Sequence, residues 1–196
     1  IYKDHVELFA DEEKFSDDMK REFAKNHVAL RPYTEIENAV GKLSGRKKML
    51  IDPERLSYAL YKLIPDETEM IEKENPEIIM KSVKNDIETE HIRRAHLKDA
   101  AAHTKFIYWL KENIGKTEIT ERSASARLEE FRKEQDGYLG PSFEPISAYY
   151  EHGAIVHYSA SKESDARLEK GHFLLTDTGG HYKDGSTDIT LSLIHI

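Results

Sequence analysis

Phe15, Met19 and Phe23 recur at four-residue steps through the charged stretch Asp11-Glu12-Glu13-Lys14 and Asp17-Asp18-Met19-Lys20-Arg21-Glu22. That spacing predicts a surface helix with one apolar face, docked on a sheet. A strand follows at Val28 to Leu30, stopped by Arg31-Pro32. The next helix is expected from Thr34 to about Leu43, with Thr34 as its cap and Glu37 as the reciprocal partner. Met49-Leu50-Ile51-Asp52-Pro53 reads as a buried strand ending in a turn, and Pro53 to Tyr61 as a helix that begins on proline. Strand alternating with helix points to the end of an α/β domain.

Asn75-Pro76-Glu77 breaks the periodicity, so the domain boundary is expected there. Asn85 followed by Glu88 announces a helix that runs to about Asn113 and stops at Gly115, with Ile87, Ala95, Ala102, Phe106, Trp109 and Leu110 as its apolar stripe. A second helix is expected from Thr120 to Glu134, with Ala124, Leu128 and Phe131 inward and Asp136-Gly137 as its stop. Beyond Gly137 the pattern changes to short β-type runs, Tyr149-Tyr150, Gly153 to Tyr158 and Phe173 to Leu175, which predict a sheet.

Charge and composition narrow the classes. The 196 residues carry a net charge of −8, which argues against a nucleic-acid partner because phosphate binding calls for a basic excess. Gly41 to Lys48 holds glycines and lysines, but their spacing fails the phosphate-loop pattern and a solvated turn is the better account. There is no cysteine, which removes disulfides, thiolate zinc sites and cysteine nucleophiles together. No apolar run approaches the roughly 18 residues that span a bilayer, and Ile1-Tyr2-Lys3-Asp4-His5 has no signal-peptide character. A cytoplasmic protein with no membrane partner is the expectation.

The remaining chemistry must use oxygen and imidazole. His96, Asp99 and His103 fall near one helical face, yet such groups on a charged helix are more often solvated or hydrogen-bonded locally. The run from Phe173 to Thr190 is more informative. An apolar strand delivers Asp177 at its end, Gly179-Gly180 permits close backbone approach, and a returning strand delivers Asp188. Two carboxylates on paired strands suit a dinuclear metal site, while the plain alternative is a hairpin whose Asp and Gly are turn chemistry. Asp184-Gly185 reads as such a turn. His157 sits in an apolar, strand-like run, where a lone histidine is more often structural.

Several of these pieces, in this order, resemble one family. Lys84 to Glu88, Trp109-Leu110, Leu128 to Arg132, Ser142-Phe143, Gly153 to Tyr158, Asp177 to Gly180 and Asp184 to Thr190 are similar to the first half of the catalytic domain of Xaa-Pro aminopeptidases (aminopeptidase P). These belong to the creatinase and methionine aminopeptidase group with the pita-bread fold. Residues 1–74, above all Leu50 to Pro53, resemble the end of the α/β creatinase-type domain that precedes it. The expected fold class is therefore α+β, with residues 1–74 as the end of the N-terminal domain and 75–190 as the first half of the pita-bread domain.

The resemblance implies hydrolysis of the bond between an N-terminal residue and a following proline, with two divalent ions, most often manganese, and a water activated between them as nucleophile. By match to the motif, Asp177 chelates one ion, Asp188 bridges both, and His157 lines the substrate site and bonds the substrate or its tetrahedral intermediate. A dimer or higher oligomer is implied as well. His181, Thr178 and Glu151-His152 depart from the usual residues at tolerant positions. After Thr190 the departure is larger: the expected continuation, with one His and two Glu ligands, is replaced by Leu191-Ser192-Leu193-Ile194-His195-Ile196. Residues 191–196 are thus expected to be a non-native tail, His195 not to substitute for a missing ligand, and the chain to be an inactive central fragment. The rival readings are a proline dipeptidase and a catalytically dead relative that binds peptides or proteins.

Overall fold

The structure is a computed structural model that describes residues 1–43 and 48–194. Its contacts divide the chain into two compact units, Ile1–Val83 and Lys84–Ile196. The division falls downstream of the Asn75-Pro76 break, because the short helix that Pro76 opens belongs to the first unit. Within Gly41 to Lys48, residues 44–47 lie outside the described residues, as do His195 and Ile196.

In the first unit, β1 (Val6–Ala10), α1 (Asp17–Lys25) and β2 (Val28–Pro32) form a parallel strand pair joined by a helix, in register from Val6↔Val28 to Ala10↔Pro32. Ser16 caps α1 by accepting from the Met19 N–H at 3.3 Å, and Phe15 meets Phe23 edge to face as the four-residue spacing predicts. Next, α2 (Ile36–Gly41) starts later than expected. A 3-10 turn occupies Tyr33–Glu35, and among the described residues no side chain caps α2, so the Thr34/Glu37 box does not form.

Strands β3 (Lys48–Ile51) and β4 (Glu69–Glu72) make a second parallel pair. Between them α3 covers only Tyr58–Tyr61 and is capped by Ser57, a shorter helix than Pro53 to Tyr61. The cause is Asp52. Its buried carboxylate accepts from Glu54 N–H at 3.1 Å and Asn75 N–H at 3.0 Å, which holds the chain in a turn after β3 and ties β3 to the start of α4 (Pro76–Ser82).

The second unit begins with α5 (Asp86–Asn113), where Asn85 and Glu88 form the reciprocal capping pair read from the sequence, both bonds at 2.9 Å. It ends at Ile114, followed by Gly115 at φ 75°, a conformation that glycine adopts without a Cβ penalty. Thr120 caps α6 (Glu121–Lys133). Phe106 and Leu110 from α5 and Ala124 and Leu128 from α6 enclose the core with Ile114, Ile119, Tyr149, Leu168 and Leu174. Ile87, expected in the stripe, is exposed because it lies in the first turn, outside this core.

Two antiparallel sheets complete the unit. One is ordered β10-β7-β6, from β6 (Ile146–Tyr149), β7 (Leu174–Thr178) and β10 (Ile189–Leu193). The other is ordered β5-β8-β9, from β5 (Tyr138–Pro141), β8 (Gly180–Tyr182) and β9 (Gly185–Ser186). Leu191 to Leu193 lie within β10. Gly153 to Tyr158 is not a strand: Tyr150–Ala154 is a 3-10 helix, and a turn follows with His157 at φ 54°. Ile155 and Val156 are exposed while Tyr158 is buried, so the run does not show the alternating burial of a strand.

Candidate active site

Strands β7 to β10 form one long hairpin. The pairing that matches Leu174 with Leu193 and Asp177 with Thr190 continues through a Thr187 N–H to Gly180 C=O bond of 2.9 Å to Tyr182↔Gly185, leaving Lys183-Asp184 as the turn. The turn expected at Asp184-Gly185 thus falls one residue earlier, with Gly185 already paired in β9. Asp184 is held there by Lys98, which keeps its carboxyl below the usual range.

Alternation along β7 sends Leu174, Thr176 and Thr178 to the buried side under the helices and Asp177 to the opposite face. Asp188 precedes β10, and the same register sets it across from Gly179, diagonal to Asp177 on the Asp177 face. The neighbours agree: Thr178 and Thr187 both bond to groups beneath the sheet, so the residues beside them point away from those groups. Diagonal neighbours in such a pair lie roughly 7–8 Å apart. Asp177 is half-buried and Asp188 exposed.

Gly179 makes this crossing possible. A Cβ there would lie 2.1 Å from the Thr187 carbonyl oxygen and 2.2 Å from Ser142 Oγ, so only glycine lets the strands approach this closely.

Asp177 Oδ1 is buried and has no hydrogen-bond partner among the described residues. An unpaired buried carboxylate oxygen is costly, and a cation is the chemistry that offsets it. The pair is therefore a suitable set of oxygen donors for a divalent metal, although no group of three or more His, Cys, Asp or Glu side chains converges among the described residues. His96 Nδ1 and His103 Nδ1 instead bond within their own helix, to Ile92 C=O and to Asp99.

His157 is exposed in its turn, and among the described residues no hydrogen bond joins it to either aspartate. What holds the turn is Glu121, fully buried at the start of α6. One carboxylate oxygen accepts from Tyr149 N–H at 2.6 Å and His152 Nδ1 at 2.8 Å. The other accepts from Tyr158 O–H at 2.8 Å and Ala166 N–H at 3.1 Å. Burial, reinforced by this carboxylate, pushes the Tyr158 phenol up. His157 is thus framed by His152 and Tyr158, whose rings stack 4.5 Å apart.

The sequence model of the Metallopeptidase family M24 matches residues 90–196, and that of the Creatinase/Prolidase N-terminal domain matches residues 1–88. The chain belongs to metallopeptidase family M24. Among M24 relatives it is 36% identical to Xaa-Pro aminopeptidase 2 of Sus scrofa, over 94% of this chain and 28% of that protein. It is 35% identical to Xaa-Pro aminopeptidase 1 of Dictyostelium discoideum, over 98% of this chain and 31% of that protein. The crystal structure of an X-prolyl aminopeptidase from Caenorhabditis elegans, described as a cytosolic enzyme with a di-nuclear active site, superposes with a TM-score of 0.85 at 27% identity. It is covered to 33% by the whole of this chain. The chain thus spans roughly a third of the length of these M24 proteins. Its fold is α+β, the pita-bread type preceded by a creatinase-type N-terminal domain. No helix among the described residues is long and apolar enough to cross a membrane.

Residue patterning missed the buried charges of this M24 unit. Glu121 and Arg132 share the inward stripe of α6 with Ala124 and Leu128, at steps of three, four and four. Periodicity could have found both, because they repeat in step with the buried Ala124 and Leu128. Asp99, expected to be solvated or hydrogen-bonded locally, does bond His103 on its own helix but is fully buried and also bonded to Arg132, Nε to Oδ1 at 2.8 Å and Nη2 to Oδ2 at 3.3 Å.

Proposed function

We propose that this chain is the central part of a metal-dependent aminopeptidase that cleaves the bond between an N-terminal residue and a following proline. The observation that carries the reading is the pair Asp177 and Asp188 on one sheet face, with Asp177 Oδ1 buried and unpartnered among the described residues. A binding module gains nothing from burying a carboxylate oxygen without a partner. Asp177 and Asp188 would hold divalent ions, manganese by preference. Bound metal would supply Lewis-acid polarisation of the scissile carbonyl and a lowered water pKa. The chain's own contribution is to hold the two carboxylates on a rigid hairpin and to present His157, on a turn braced by Glu121, as a donor to substrate.

The division of labour follows the two units: the first as the end of the creatinase-type domain, the second as the beginning of the pita-bread catalytic domain. Cytoplasmic residence and a dimer are part of the same reading, supported by the family resemblance and by the cytosolic relative.

The test is hydrolysis by the polypeptide extended to the length of its relatives. A tripeptide with proline second should be cleaved in the presence of Mn²⁺, and Asp177→Asn should abolish cleavage while leaving the protein folded. Cleavage of the dipeptide but not the tripeptide would make it a proline dipeptidase. Full activity in Asp177→Asn would overturn the site.

A further inference from the structure

Asp99 and Arg132 form a charged pair with 0% and 2% exposure, joined side-on by two hydrogen bonds. A buried pair of this kind costs desolvation and is weak evidence for stability in itself. Its remaining bonds are informative. Arg132 Nη2 donates to Thr178 Oγ1 at 2.9 Å, and Thr187 Oγ1 donates to Asp99 Oδ2. Thr178 immediately follows Asp177, and Thr187 immediately precedes Asp188. One ion pair under the sheet therefore grips the two residues adjacent in sequence to the two carboxylates above it.

The grip on Thr187 is closed from other sides. Its Oγ1 also accepts from the Gly180 N–H at 2.9 Å, and its carbonyl accepts from Ser142 Oγ at 2.8 Å. Two like-charged carboxylates at neighbouring positions repel each other, and β10 is an edge strand, so the hairpin by itself would let them spread. Anchoring the alternate residues from beneath opposes that spread.

We propose that Asp99 and Arg132, acting through the Thr178 and Thr187 hydroxyls, are positioning residues that fix the separation of Asp177 and Asp188 for metal binding. This rests on the metal role of the aspartates proposed above. Outer partners that orient metal ligands typically change affinity by about 10- to 100-fold when removed, and isosteric loss of one hydroxyl is expected at the lower end.

The test is titration of the 196-residue chain with Mn²⁺, read by paramagnetic broadening of the backbone amide signals of Asp177 and Asp188. In the native chain both signals should broaden over one concentration range. Thr187→Val should raise that range about tenfold, with Asp188 losing coupling to Asp177, and Thr187→Ser should restore it. Thr178→Val provides a second variant with the ion pair intact, and near-UV circular dichroism establishes that each variant is folded. Folded valine variants that broaden as the native chain does, or a serine variant as impaired as valine, would overturn the positioning role while leaving the metal site standing. No broadening of either signal in the native chain would overturn the metal reading, and the positioning role with it.

Discussion

At the scale of the residue, the buried charges separate positions that bear on the site from those that merely decorate it. Burial alone pushes the Asp99 carboxyl up, but hydrogen bonds from His103, Arg132 and Thr187, with the Arg132 charge, outweigh it and hold the group at about 2. Its folded-state value thus lies below the ordinary 3.8. As pH falls the unfolded chain takes up this proton first. The associated stability is therefore complete above about pH 4 and is lost progressively as pH approaches 2. At about 1.4 kcal/mol for each unit of displacement this contribution is on the order of 2 kcal/mol. The Asp99 carboxyl ¹³C shift should accordingly still report the ionised form at pH 3; a midpoint at 4 or above would show that the Arg132 pairing is not made in solution.

At the scale of the element, helices were legible wherever the cap and the apolar stripe agreed, and illegible where a tertiary bond intervened. The reciprocal bonds of Asn85 and Glu88 start α5 where the sequence puts it, and Gly115 ends it. Asn85→Ala should cost about 1 kcal/mol. The loss should appear as weakened amide-exchange protection at Glu88 and Thr89, with Phe106 and Leu110 unaffected, because the exposed Ile87 shows that the first turn lies outside the core. Equal loss of protection along all of α5 would contradict this. The run Gly153 to Tyr158, by contrast, has strand composition, yet its path is set by Glu121 binding Tyr158 and His152 from far away in sequence. No local pattern carries that information. Asp177 and Asp188 were legible as candidates because strand and glycine flank them. Their shared face was settled by register, and register depends on the Thr187 to Gly180 bond and on the close crossing at Gly179.

At the scale of the whole molecule, the number of donors limits what this chain can do alone. Asp177 and Asp188 are two carboxylates, and no cluster of three or more metal-ligating side chains exists among the described residues. Transition-metal and catalytic zinc sites commonly draw three or more protein ligands, so two carboxylates alone are too few to hold an ion tightly. Among the described residues the outer edges of β6 and β10 carry no strand partner, and such open edges are able to accept further strands. Calorimetry of the 196-residue chain with Mn²⁺ should therefore give one weak event, in the millimolar range or about 4 kcal/mol, together with no hydrolysis of a peptide bearing proline second. Asp188→Asn should reduce even that binding, because it removes one of the two charges that attract the ion. Tight uptake of two ions, or turnover by the chain alone, would mean that ligands beyond this pair are already in place and that the hairpin is not half of a larger site.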